Sequence, residues 1–187
     1  YASARLGIAE LLAGGTTTIL DMGTVHHTDS IFEAVEEMGI RAFVGKCLMD
    51  RDDMPAVLRE KTAAALKENR ALAERWHGEA NDRIRYAHAP RFVLSCTESL
   101  LREVNEMASA QHQLIHTHAS ENRFEIERVR ELYNCENIEY FQKLGLTNER
   151  LVLAHCIHLS EREKKILAQT RTNVSHCPSS NLKLASG

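Results

Sequence analysis

One local pattern recurs through the chain: a short apolar or β-branched run, a polar loop, then a stretch with helical periodicity. After a leading helix at residues 3–13 stopped by Gly14 and Gly15, residues 16–22 read as a strand and 30–38 as its helix, ended by Gly39. Strands follow at residues 41–48, 84–89, 113–118, 151–155 and 172–176. The intervening helices fall at 56–76, 98–111 behind a cap at Thr97 or Ser95, 121–132 with a short second helix at 138–144, and from Ser160 to about 169. Ser160-x-x-Glu163 is a capping box. The last step, running into residues 176–181, reads as an unfinished polar turn.

Regular βα alternation predicts a parallel sheet covered by helices. Two α/β architectures compete, a doubly wound open sheet and a (β/α)8 TIM-type barrel. No G-x-G-x-x-G follows the first strand, which removes the dinucleotide-binding form. Polar groups recur at the strands' C-terminal ends: Asp21, Lys46, His88 with Arg91, His118, His155 and His176. Only a barrel brings all those ends to one mouth, so the barrel is the expected fold.

The densest chemistry is Ile115-His116-Thr117-His118-Ala119-Ser120-Glu121. Period-2 alternation places both imidazoles on one side of a strand, with a carboxylate where the strand hands over to a helix. Such a group can hold a divalent metal and move a proton beside it. His118 is the metal-ligand candidate. His116 lies one residue pair deeper, as second ligand or as packing. Glu121, expected on the first helical turn, is the candidate proton shuttle. His155 would orient the attacking water or stabilise charge on the substrate. His158 reads as loop surface. Lys46, Arg91 and Asn181 are candidate substrate contacts, with structural ion pairs the competing role for the first two.

A formal net charge of −3 gives no electrostatic grip on nucleic acid or on an anionic membrane, and 5% aromatic content argues against a base-stacking platform. No run approaches a membrane span. Five cysteines, none in a C-x-x-C pair, point to a reducing, cytoplasmic setting. The strand-end polar groups point to a substrate as the partner, and a homo-oligomer is left open.

The stretches "IHTHASEN", "LVLAHCIHL" and "NVSHCPSSNLKLASG", with "GGTTTILDM" and "APRFVLSCTE", closely resemble the metal-dependent amidohydrolase superfamily. The nearest branch holds methylthioadenosine/S-adenosylhomocysteine deaminases, 5′-deoxyadenosine deaminases, guanine deaminases and triazine chlorohydrolases. The resemblance implies a (β/α)8 barrel with one divalent metal, zinc first and iron second. In that family the metal is held by a His-x-His after the first strand, a His after the fifth and an Asp after the eighth. By this likeness residues 1–187 form the central part of one barrel domain, strands two to seven, truncated at both ends. His118 then matches the fifth-strand ligand, Glu121 the acid/base and His155 the histidine beside the hydrolytic water. Lys46 and Arg91 fall where the branch has substrate contacts, and His116 is not one of the family's paired ligands. The implied reaction is hydrolytic deamination of a purine base or adenosine-type nucleoside by metal-bound hydroxide. Dehalogenation of an s-triazine is the alternative within the class, and a non-catalytic barrel fragment the alternative outside it.

Overall fold

Every strand pairing in the computed structural model, which describes residues 1–186, is parallel. Gly187, the last residue of one motif quoted above, lies outside the described residues. The strands are β1 (Thr18–Met22), β2 (Arg41–Gly45), β3 (Cys47–Leu48), β4 (Ile84–Pro90), β5 (Leu114–Ala119), β6 (Leu151–His155) and β7 (Asn173–Ser175). They lie in the order β1-β2-β4-β5-β6-β7, with β3 also on β4. Ala42 sits opposite Ile84 and Cys47 opposite Ala89, so β2 and β3 hold one register and form a single strand position interrupted at Lys46.

The order therefore rises steadily through six strand positions. A doubly wound sheet reverses its order at a switch point, whereas a barrel winds in one direction. The winding is that of a (β/α) barrel over six of its positions, as the sequence predicts. At Gly45 the approach to β4 is so close that a Cβ would lie 1.7 Å from the Ala87 carbonyl oxygen, a place only glycine fits.

The helices are α1 (Ala2–Ala13), α2 (Asp29–Met38), α3 (Thr62–Trp76), the short turn α4 (Glu79–Asp82), α5 (Glu98–Gln111), α6 (Arg123–Tyr133), α7 (Asn137–Lys143), α8 (Glu161–Thr170) and α9 (Pro178–Leu184). Gly39 closes α2 in the left-handed conformation, Thr97 caps α5, and Ser160 with Glu163 closes the box on α8. Among the described residues no helix is long and apolar enough to cross a membrane.

Three expectations need correction. Helix α3 starts at Thr62 rather than 56: residues 56–58 form a turn, and Glu60 then meets the buried Lys46 ammonium before the helix begins. Glu121 is not on the first turn of α6: Asn122 is the cap, accepting from the Glu125 N–H, so Glu121 precedes the helix. Residues 178–184 form α9 and not a polar turn, with Pro178 at its start, where a missing N–H costs nothing.

The core lies between sheet and helices. Val44, Ile84 and Tyr86 pack with Phe32, Leu72 and Trp76, and Ile115, Leu151 and Leu153 pack with Leu101, Val104 and Phe141. Alternate strand residues face the helices in each case, and the others face the lumen.

Candidate active site

His118 stands at the lumen side of β5, and its orientation is fixed from behind. Its Nδ1–H donates to the Arg91 carbonyl at 2.7 Å, leaving the Nε2 lone pair free. A metal-ligating imidazole is usually held through its other nitrogen in this manner. Burial pushes the His118 pKa down, against the pull of that bond, and favours the neutral ring that can ligate.

His155 closes β6. Strict alternation would send it outward after Leu151 and Leu153. Its φ of 74° breaks the alternation, and its ring stacks on that of His118 at 5.4 Å. Ser120 (φ 52°) and Cys156 (φ 53°) are also left-handed, so backbone strain gathers at the ends of two adjacent strands. The N–H groups of Cys156 and Ile157 bond the carbonyls of Ala119 and Ser120 at 2.9 and 3.0 Å and lock those ends together.

Glu121 follows the left-handed Ser120 and extends its carboxylate to 3.6 Å from His155 Nε2. The other nitrogen of His155, Nδ1, lies 3.3 Å from Asn181 Oδ1, and Asn181 Nδ2 donates to Ser186 Oγ at 2.9 Å. Thus the structure brings His118, Glu121 and His155 together. Asn181 is buried behind His155 rather than open to the lumen.

Arg91 is exposed beside this group, its guanidinium 5.3 Å from the Phe92 ring, and makes no ion pair among the described residues. His116 sits below His118 with ring centroids 6.3 Å apart. Its Nδ1 is buried without a partner, and burial holds its pKa down at about 4.

Lys46, His88 and Asp21 are not at the mouth. Lys46 is fully buried on the side of α3, 3.0 Å from Glu60 and 3.0 Å from Glu68. His88 faces the same layer, bonded to Asn69 of α3 and to Gln113. Asp21 shares a cavity with Ile8 of α1 and Ile31 of α2. His176 is exposed, and His158 bonds the Ser186 carbonyl. The sequence reading passed over Glu125, which is buried behind Ser120 and Glu121; its signal was the spacing Asn122-x-x-Glu125.

A divalent metal fits His118 in donor chemistry, since a neutral, oriented imidazole with a free nitrogen suits zinc or iron. Among the described residues no group of three His, Cys, Asp or Glu side chains could hold one. His118 offers a single donor there, which by itself does not make a metal site.

Residues 1–187 match the sequence pattern described as the amidohydrolase family. The 5′-deoxyadenosine deaminase of Methanothermobacter thermautotrophicus is 38% identical over 187 residues, covering 100% of this chain and 42% of the relative. A guanine deaminase from C. acetobutylicum with bound guanine superposes with a TM-score of 0.93 at 29% identity, over 100% of this chain and 46% of that one. An atrazine chlorohydrolase from Arthrobacter aurescens complexed with zinc superposes at 0.91 with 23% identity over 98% of this chain and 43% of that one, a likeness of fold alone. The chain spans less than half the length of these relatives.

Proposed function

The chain belongs to the amidohydrolase family, and from that premise we propose that it is the central part of the barrel of a metal-dependent aminohydrolase. The reaction is hydrolytic deamination of a purine base or adenosine-type nucleoside: water adds at the ring carbon bearing the amino group, the C–N bond breaks, and ammonia leaves. The observation that carries this reading is the meeting of Glu121, His155 and His118 at the ends of β5 and β6.

His118 would hold the metal through Nε2. When bound, a divalent metal supplies Lewis acidity that makes a water a nucleophile near neutral pH. Glu121 takes the proton of the attacking water and passes it to the departing amine. His155 presents Nε2 toward the same space and orients the water or the developing oxyanion. Arg91, exposed at the rim with no ion pair among the described residues, contacts the substrate. The remaining ligands come from segments outside this chain, in keeping with a match to less than half of each relative. Zinc is the first choice, supported by the oriented imidazole donor of His118. The substrate is a small molecule, and a cytoplasmic setting accords with five free cysteines.

The test uses the full gene product. It should contain one tightly held metal per chain, release ammonia from adenosine derivatives or guanine, and lose at least a hundredfold in kcat on Glu121→Ala. Absence of metal, or full activity in that variant, rejects the catalytic reading. Faster turnover of chlorinated triazines would replace deamination by dehalogenation.

A further inference from the structure

Three helices here open with a glutamate at the third helical position. In α7 and α8 that glutamate closes the usual box: Glu139 accepts from the backbone N–H of its cap Glu136 at 3.2 Å, and Glu163 from that of Ser160 at 2.8 Å. Helix α6 departs from the pattern. Asn122 caps it in the ordinary way, accepting from Glu125 N–H at 2.9 Å. Glu125 does not return the bond to Asn122. It reaches further back, accepting from Ser120 N–H at 3.1 Å on Oε1 and from Glu121 N–H at 2.9 Å on Oε2. Asn137 Nδ2, at the start of α7, also donates to Oε1.

Glu125 is 3% exposed, so these bonds are shielded from water. Both oxygens of one buried carboxylate are thereby spent on the two residues that carry the chain from β5 to the acid/base. One of the two, Ser120, is held left-handed with its hydroxyl buried and unpartnered, a conformation a serine does not keep without support.

We propose that Glu125 is the positioning residue for Glu121: its carboxylate clamps the Ser120 and Glu121 amides and so fixes where the Glu121 side chain enters the lumen. This rests on the acid/base role given to Glu121 above. Displacing that carboxylate by about 1 Å costs on the order of a hundredfold in rate for a well-aligned proton transfer. Glu125 acts only through Glu121 and touches no substrate. Its replacement should lower kcat while leaving substrate affinity and the His118 metal ligand intact.

The test is a double-variant cycle in the metal-loaded full gene product, with Glu125→Gln, Glu121→Ala and the pair. Glutamine keeps the size of the side chain but turns an –NH2 toward one of the two amides. The expected result is a fall in kcat of at least tenfold, with KM within threefold, unchanged metal content, and no further fall when Glu125→Gln is added to Glu121→Ala. A merely structural glutamate would lower kcat in both backgrounds alike, and that result, or a kcat within threefold of wild type, overturns the proposal. Full activity in Glu121→Ala instead rejects the underlying function. Should Glu125→Gln fail to fold, Asn137→Ala removes the clamp's own support. It should lower kcat about threefold with the same dependence on Glu121, and no fall there overturns the proposal too.

Discussion

Asn181 stands behind His155, its Oδ1 3.3 Å from the imidazole Nδ1 while its Nδ2 is given to Ser186 Oγ. With Oδ1 turned to the ring, His155 Nδ1–H donates to Asn181, which leaves Nε2 directed toward Glu121. The sequence suggested a substrate contact for Asn181, and its place behind His155 leads us to propose an orienting role instead. Asn181→Ala should lower kcat about tenfold, the scale of a misaligned catalytic group, with KM nearly unchanged. Asn181→Asp, which still accepts from Nδ1–H, should keep most of the activity. Steady-state kinetics of the full gene product on the proposed purine substrates decide the matter: a raised KM at constant kcat would return Asn181 to the substrate.

Lys46 is a strut between layers. Its ammonium, fully buried, lies 3.0 Å from each of Glu60 and Glu68 and donates to the Val25 carbonyl. Removing one partner of a buried pair leaves the other charge without compensation, at a cost of about 3 kcal/mol. Glu60, whose side chain is only 11% exposed, is the carboxylate left stranded. Lys46→Met should reduce unfolding stability by about that amount, with KM shifted less than twofold, and Glu60→Gln added to it should restore part of the loss. Denaturant melts and substrate kinetics together check this. A large rise in KM at unchanged stability would sink the strut.

The same residue shows where the sequence was legible. The barrel winding followed from period-2 runs alternating with capped helices, and those local signals agree with the tertiary fold. The mouth was less legible, because arrival at a strand end does not say which face a side chain takes. Ala42, Val44 and Lys46 share one face of a strand, as do Ile84, Tyr86 and His88, so alternation sends both polar residues toward α3. Applied to His155, that rule gives the wrong face, since a left-handed residue ends β6. Positive φ at a histidine leaves no mark in composition or periodicity. Glu125 was hidden for a different reason: a capping pattern announces a helix start, and only the coordinates show which amides the glutamate takes.

His88 makes the outward face measurable through pH. Its Nδ1 accepts from Asn69 Nδ2 at 2.9 Å and its Nε2–H donates to Gln113 Oε1 at 2.8 Å, so the ring is held neutral. The charged side chains of the adjoining cavity are Arg70 and Glu74 from α3 and Glu103 and Glu106 from α5. Burial pushes the His88 pKa from 6.5 down to about 4. Above the unfolded value neither state is protonated at this site and its neutral burial carries no penalty. As pH falls below 6.5 the unfolded chain takes up a proton that the folded one refuses, and stability drops until pH reaches about 4. At 1.36 kcal/mol per unit the full loss is about 3 kcal/mol. His88→Gln removes the titration and keeps a polar side chain, so its stability should fall less steeply than wild type between pH 6.5 and 4.5, whatever its level at pH 8. Urea midpoints across that range give the two slopes, and equal slopes would show that His88 titrates alike in both states.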